Sequence, residues 1–103
     1  MSEFITVTHA KDLGPGQVEI FEIGDEFVAV ANVDGQFCAF TDVCTHDNGP
    51  LVEGDLEGRV ITCPRHGARF DVCTGEVLSL PAVTPLPTYE VRVVNGEVQV
   101  RIA

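Results

Sequence analysis

Hydrophobic and polar positions alternate with a period of two along most of this chain, and turn dipeptides interrupt them at short intervals. That pattern predicts an all-β fold, since no stretch carries the three-to-four spacing of an amphipathic helix. Residues 4–8 read as a first strand. Residues 10–13 allow at most one helical turn before Gly14-Pro15-Gly16 stops it. Residues 17–23 alternate, with Val18, Ile20 and Glu22 on one side, and the chain turns at Gly24-Asp25. Residues 26–33 are almost continuously apolar, as expected of a central strand covered on both faces. Asp34-Gly35 signals a two-residue hairpin into residues 36–40. The clearest hairpin is C-terminal. Tyr89, Val91 and Val93 face one way, Asn95-Gly96 turns the chain, and Val98, Val100 and Ile102 return on the matching face. Glu90, Arg92, Gln99 and Arg101 then point to solvent.

Between these outer blocks, residues 42 to about 81 change character. Gly49, Pro50, Gly54, Gly58, Gly67 and Gly75 follow in quick succession, with only short strand-like pieces at 59–62 and 68–71. Pro81, Pro85 and Pro87 form a stiff connector back to the outer strands. The expectation is an antiparallel β-sandwich or barrel with a small metal-holding insert. At 103 residues the whole chain, 1–103, makes one domain.

Charge narrows the partners. Sixteen acidic residues against six basic ones give a formal net charge of −10. Phosphates would be repelled, which argues against nucleic acid or an anionic membrane surface. A basic docking face on a partner protein would suit it, although charge alone leaves simple solubility equally open. The N-terminus lacks the basic flank and apolar stretch of a signal peptide, and no apolar run is long enough for a membrane helix. The expected location is the cytoplasm, where thiols stay reduced. Four cysteines could form two disulfides, but that compartment disfavours it. Cys38 and Cys73, both in apolar strand-like contexts, are therefore expected to be small buried hydrophobes.

The other two cysteines lie in short loops that each pair a thiolate with an imidazole: Cys44-Thr45-His46 and Cys63-Pro64-Arg65-His66. One Cys and one His from each loop are what a Rieske 2Fe–2S centre requires, with two thiolates on one iron and two imidazoles on the other. Zinc competes for any such set, but structural zinc sites pair Cys with Cys and His with His. Mixed pairs in Gly- and Pro-flanked loops point to the cluster. Imidazoles in place of two thiolates leave the oxidised centre less negative, which raises its potential above that of an all-thiolate cluster. Gly67, directly after His66, permits close backbone approach, so its N–H could reach a cluster sulfur. Asp42, Asp47, Glu53, Asp55 and Glu57 are expected to be a solvated acidic surface. Arg59, Arg65 and Arg69 follow them, and Arg65, inside a ligand loop, is the best candidate for partner contact. His9 is expected to be incidental.

With these residues the chain resembles the Rieske-type ferredoxins of bacterial aromatic-ring-hydroxylating dioxygenase systems. The likeness runs through Cys44-Thr45-His46, Glu53-Gly54, Leu56-Glu57-Gly58 and Cys63-Pro64-Arg65-His66-Gly67. It continues through Phe70-Asp71-Val72-Cys73-Thr74-Gly75, Pro81 and the closing hairpin. The resemblance implies a cluster-binding subdomain over about 42–81, with Cys44 and Cys63 on the inner iron and His46 and His66 on the exposed one. It also implies a monomeric one-electron carrier, not an enzyme, that takes electrons from a flavin-dependent ferredoxin reductase and gives them to a terminal oxygenase. The alternative is the small Rieske subunit of a larger reductase, such as assimilatory nitrite reductase. High-potential Rieske proteins of respiratory complexes join their ligand loops by a disulfide. Gly49 and Arg65 stand at those positions here, and Ala68 stands where those proteins have a Ser hydroxyl. Lacking that hydrogen bond, the centre is expected at the low end of the Rieske range, about −150 mV.

Overall fold

The computed structural model describes residues 3–43, 51, 54–65, 67–80 and 84–102. Its strands are β1 (Glu3–His9), β2 (Val18–Ile23), β3 (Glu26–Val33), β4 (Gln36–Thr41), β5 (Leu56–Glu57), β6 (Val60–Thr62), β7 (Arg69–Asp71), β8 (Val77–Ser79), β9 (Thr88–Tyr89), β10 (Val91–Val94) and β11 (Glu97–Ile102). One 3-10 turn, Ala10–Asp12, is the only helical element among the described residues. No helix among them is long and apolar enough to cross a membrane.

Among the described residues these strands form three antiparallel sheets, ordered β1-β11-β10, β2-β3-β4-β9 and β5-β6-β7-β8. The second sheet is the middle layer, and the period of two in β3 and β4 explains why. Ala29, Ala31, Cys38 and Phe40 face a core shared with Leu51, Ile61, Cys63, Ala68, Phe70 and Val72 of the cluster-side region. Val28, Val30 and Ala39, pointing the other way, bury against Val98 and Val100. The apolar run of β3 is thus covered on both faces, as its sequence predicts. Burying a side chain such as Phe40 or Val98 completely is worth roughly 1.5–3 kcal/mol.

The predicted hairpins form with the predicted turns. Asp34 and Gly35 have φ of 50° and 95°, and Asn95 and Gly96 have 51° and 79°. Both central residues are left-handed, as a two-residue turn matched to strand twist requires. Val93 pairs with Val98 and Val91 with Val100. Asn32, buried, holds one of these turns: its Oδ1 accepts from Gly35 N at 2.7 Å, and its Nδ2 donates to Leu13 O at 2.7 Å.

Three expectations change. Tyr89 does not continue the strand of Val91: it pairs with Ala39 in the middle sheet, while Val91 pairs with Val100, so the chain changes sheets at Glu90. In β2, Glu22 stays exposed, and Phe21 and Ile23 from the opposite face pack on the second core. Cys38 and Cys73 are not separate hydrophobes. They form a disulfide with sulfurs 2.04 Å apart and Cα atoms 4.9 Å apart. Cys73 lies in the turn between β7 and β8, not on a strand, and that turn folds back against β4. Composition and compartment gave no hint of this register.

Candidate metal centre

Of the four candidate ligands, Cys63 falls within the described residues, while Cys44, His46 and His66 lie outside them. So do Asp47, Gly49, Pro50, Glu53 and Pro81.

Cys63 follows β6 and is 1% exposed, within the core beside Ala68 and Leu51. Its loop is closed by two backbone hydrogen bonds. Cys63 N donates to Ala68 O at 2.7 Å, and Gly67 N donates to Cys63 O at 3.0 Å. Gly67, at φ 78°, supplies the left-handed step that closes this turn. Its N–H donates to the Cys63 carbonyl oxygen. Ala68 is fully buried and brings no hydroxyl. Pro64 and Arg65 are exposed on the loop.

Contacts that the ligand motifs do not announce tie the residues flanking the first loop to one another and to the approach to Cys63. Asp42, at the entrance of the first loop, is 7% exposed, and its Oδ1 accepts from Leu51 N at 2.9 Å. One carboxylate thus joins the residues that flank positions 43–50. Asp42 N donates to Phe27 O at 3.1 Å, anchoring this junction on β3. The expected solvated role holds for Asp55 and Glu57, which are exposed, but not for Asp42. Gly54 and Asp55 lie beside the approach to the second loop. Gly54 N donates to Leu51 O at 2.8 Å, and Thr62 N donates to Asp55 O at 3.1 Å. A Cβ on Gly54 would run into the Thr62 carbonyl oxygen, so the approach requires glycine. Gly54 is therefore seated against Thr62, the residue preceding Cys63.

The far side of the small sheet is built around Asp71. Its Oδ2 accepts from Arg59 Nε at 2.8 Å, and its Oδ1 accepts from the N–H groups of Cys73 at 2.8 Å and Thr74 at 3.0 Å. Burial pushes the Asp71 carboxyl upward, but the two backbone donors and the Arg59 guanidinium outweigh it and hold the pKa below the ordinary carboxylate value. The turn continues into Gly75, whose N donates to Asp71 O and whose carbonyl accepts from Leu86 N. β8 runs alongside the second loop, with Ser79 Oγ 3.5 Å from the Gly67 carbonyl oxygen. Leu78 and Leu80 on this edge are exposed, Leu80 by 75%, and Arg69 is exposed on the adjacent strand. His9 is exposed at the end of β1.

A buried cysteine, three residues before a histidine in sequence, suits an iron ligand. Residues 3–90 match the family model described as the Rieske 2Fe-2S domain. The chain belongs to the Rieske family. Its cofactor is accordingly one Rieske-type 2Fe–2S cluster. Ferredoxin CarAc of Metapseudomonas resinovorans is 44% identical over 98 residues, covering 94% of this chain and 92% of the relative. The ferredoxin component of biphenyl 2,3-dioxygenase from Rhodococcus jostii strain RHA1 is 44% identical over 89 residues, covering 86% and 83%. Among solved structures, a ferredoxin chain in a complex of reduced oxygenase and oxidised ferredoxin in carbazole 1,9a-dioxygenase superposes with a TM-score of 0.89. It is 44% identical, with 94% of this chain and 91% of that one covered. This Rieske protein is an electron-transfer component, not the catalyst of an oxygenase system.

Proposed function

We propose that this Rieske protein carries single electrons from a flavin-dependent ferredoxin reductase to the terminal oxygenase of an aromatic-ring-hydroxylating system. The observation that carries the reading is near-full-length 44% identity to ferredoxin components of such systems. Cys44 and Cys63 are the proposed thiolate ligands of one iron, and His46 and His66 the imidazole ligands of the other. Bound there, the cluster supplies a one-electron couple, at a potential set by its two imidazoles and by the absence of a hydroxyl at Ala68. Residues 42 to about 81 act as the cluster-holding insert of a single domain spanning 1–103. The protein works as a cytoplasmic monomer.

The chain's own residues then have distinct tasks. Asp42 ties together the residues that flank the first loop, and Gly54 lies against Thr62, the residue before Cys63. Leu78 and Leu80 are exposed on and just after β8, and Arg69 is exposed on the neighbouring β7, so this part of the small sheet offers apolar and positively charged groups on an otherwise acidic protein. Such a surface supports short-lived docking, in which apolar contact brings partners close and charge sets orientation. The alternative, a permanent small subunit of a reductase such as assimilatory nitrite reductase, is weaker, because the 44%-identical relatives are ferredoxin components.

The test is reconstitution. A flavin reductase with NADH should reduce the protein, and stopped-flow mixing with a ring-hydroxylating oxygenase should reoxidise it, with product formation depending on its concentration. Failure to accept an electron from any such reductase, or isolation from the host in a stable stoichiometric complex with a larger reductase, contradicts the proposal.

A further inference from the structure

Cys38 and Cys73 are 35 residues apart in sequence, and the loop they close contains Cys44, His46, Cys63 and His66. Every proposed ligand thus lies inside one covalent ring. The bond also joins two sheets. Cys38 projects from β4 into the core between the middle and cluster-side sheets, where it is 6% exposed. Cys73, half-buried, sits in a turn that cannot swing freely: its N–H is held by Asp71 Oδ1, and Asp71 is held by Arg59. Val72 N donates to Arg59 O at 2.8 Å, and a Cβ on Gly75 would strike the Leu86 carbonyl oxygen. The link therefore connects two rigid anchors. Among the described residues it is the one disulfide.

The strands on the cluster side have two or three residues each. Such short pairings open locally far more readily than a long hairpin unless something outside them restrains the segment. We propose that Cys38–Cys73 is a second redox site, a thiol–disulfide pair that sets how firmly the protein retains its cluster. Closed, it restricts opening of the ring that carries the ligands; reduced, it lets the segment open and the cluster escape. This inference rests on the cluster reading above.

The chemistry balances with a peroxide as oxidant. The Cys73 thiolate, the more accessible sulfur, attacks a peroxide oxygen. The O–O bond breaks, leaving a sulfenic acid on Cys73, and the departing oxygen is protonated to water. The Cys38 thiolate then attacks the Cys73 sulfur, the S–S bond forms, and the sulfenic oxygen leaves as a second water. Two thiols and hydrogen peroxide become one disulfide and two waters, with two electrons passing from sulfur to oxygen. A small dithiol reverses this through a mixed disulfide at Cys73, releasing Cys38 as a thiol and closing its own disulfide.

The experiment uses the cluster-loaded full chain, prepared once after peroxide treatment and once after treatment with a dithiol and its removal. Alkylation after unfolding, read by mass spectrometry, should modify two cysteines in the first sample and four in the second. Bleaching of visible absorbance in the presence of an iron chelator should be about tenfold faster in the second. Its melting temperature should be lower by roughly 10 °C. The Cys38→Ala/Cys73→Ala variant should bleach at the fast rate after either treatment. Four alkylated cysteines in the peroxide-treated sample, or equal bleaching rates in the two wild-type samples, overturns the proposal without needing the variant to fold. Failure of the cluster reading shows differently, as protein without iron in either state; the melting comparison then still decides whether the bond acts as a clamp.

Discussion

The β10–β11 hairpin pairs four residues across a two-residue turn, whereas no strand of the β5–β8 sheet exceeds three residues. The hairpin depends on local information: a left-handed Asn-Gly turn, alternating valines and a core beneath Val98 and Val100. The small sheet depends on distant residues. Asp42 reaches Leu51, Gly54 lies against Thr62, Arg59 grips Asp71, and Cys38 is bonded to Cys73. A scaffold can be written in neighbouring residues. A platform that must hold two separate loops in register has to be tied by contacts that cross the sequence.

Substitutions separate the two regions. The largest effect is expected for Cys63→Ser, which removes a proposed thiolate: iron and acid-labile sulfide should fall to background, while far-ultraviolet circular dichroism keeps its β signature. Retention of a full iron complement would show that Cys63 is not a ligand. Next is Asp42→Ala, which leaves the Leu51 N–H buried without this acceptor and should cost about 1–3 kcal/mol in denaturant melts. Asp42→Asn keeps an acceptor oxygen and should recover most of that loss. Equal stability of the Ala variant and the parent would mean that Asp42 does not hold the first loop.

On the scaffold side, Gly96→Ala forces a side chain into a left-handed turn at φ 79° and should cost on the order of 1 kcal/mol. The visible spectrum should not change, because the hairpin lies apart from the small sheet. A spectral change would couple regions that the sheet order keeps separate.

Asp71 gives the smallest effect, and it depends on pH. Its folded-state pKa is lowered, so its contribution is complete above the unfolded value of about 3.9 and is lost as pH falls through the folded value. Arg59 is half exposed, which screens the pair and keeps that contribution under about 1 kcal/mol. Melts of parent and Asp71→Asn over the acidic range should converge as pH falls and differ most near neutrality. A constant difference at every pH would remove the ion pair as its cause.

The same contrast governs what could be read from the chain. The period of two fixed the direction in which Val28 and Val30 point and the fact that both faces of β3 are covered, and Asn95-Gly96 specified its own turn. The cluster was legible as a cofactor because mixed Cys–His pairs at such spacing serve few other purposes, and the match to the Rieske 2Fe-2S domain agrees with it. Asp42 was misread as solvated because nothing local distinguishes a buried aspartate capping a loop from its exposed neighbours Asp55 and Glu57. The break at Glu90 was invisible for a similar reason: Tyr89 and Val91 keep the same alternation although they pair in different sheets. The Cys38–Cys73 bond depends on how the β7–β8 turn meets β4, a tertiary fact that cysteine counting cannot supply.

Pulsed electron paramagnetic resonance of the dithionite-reduced protein tests the central claim most directly. Mixed coordination predicts strong hyperfine coupling to two imidazole nitrogens, with the coupling from one lost in His46→Cys and from the other in His66→Cys. A reduced cluster without strongly coupled nitrogen, or no paramagnetic cluster in protein isolated with full protection from oxygen, would contradict it.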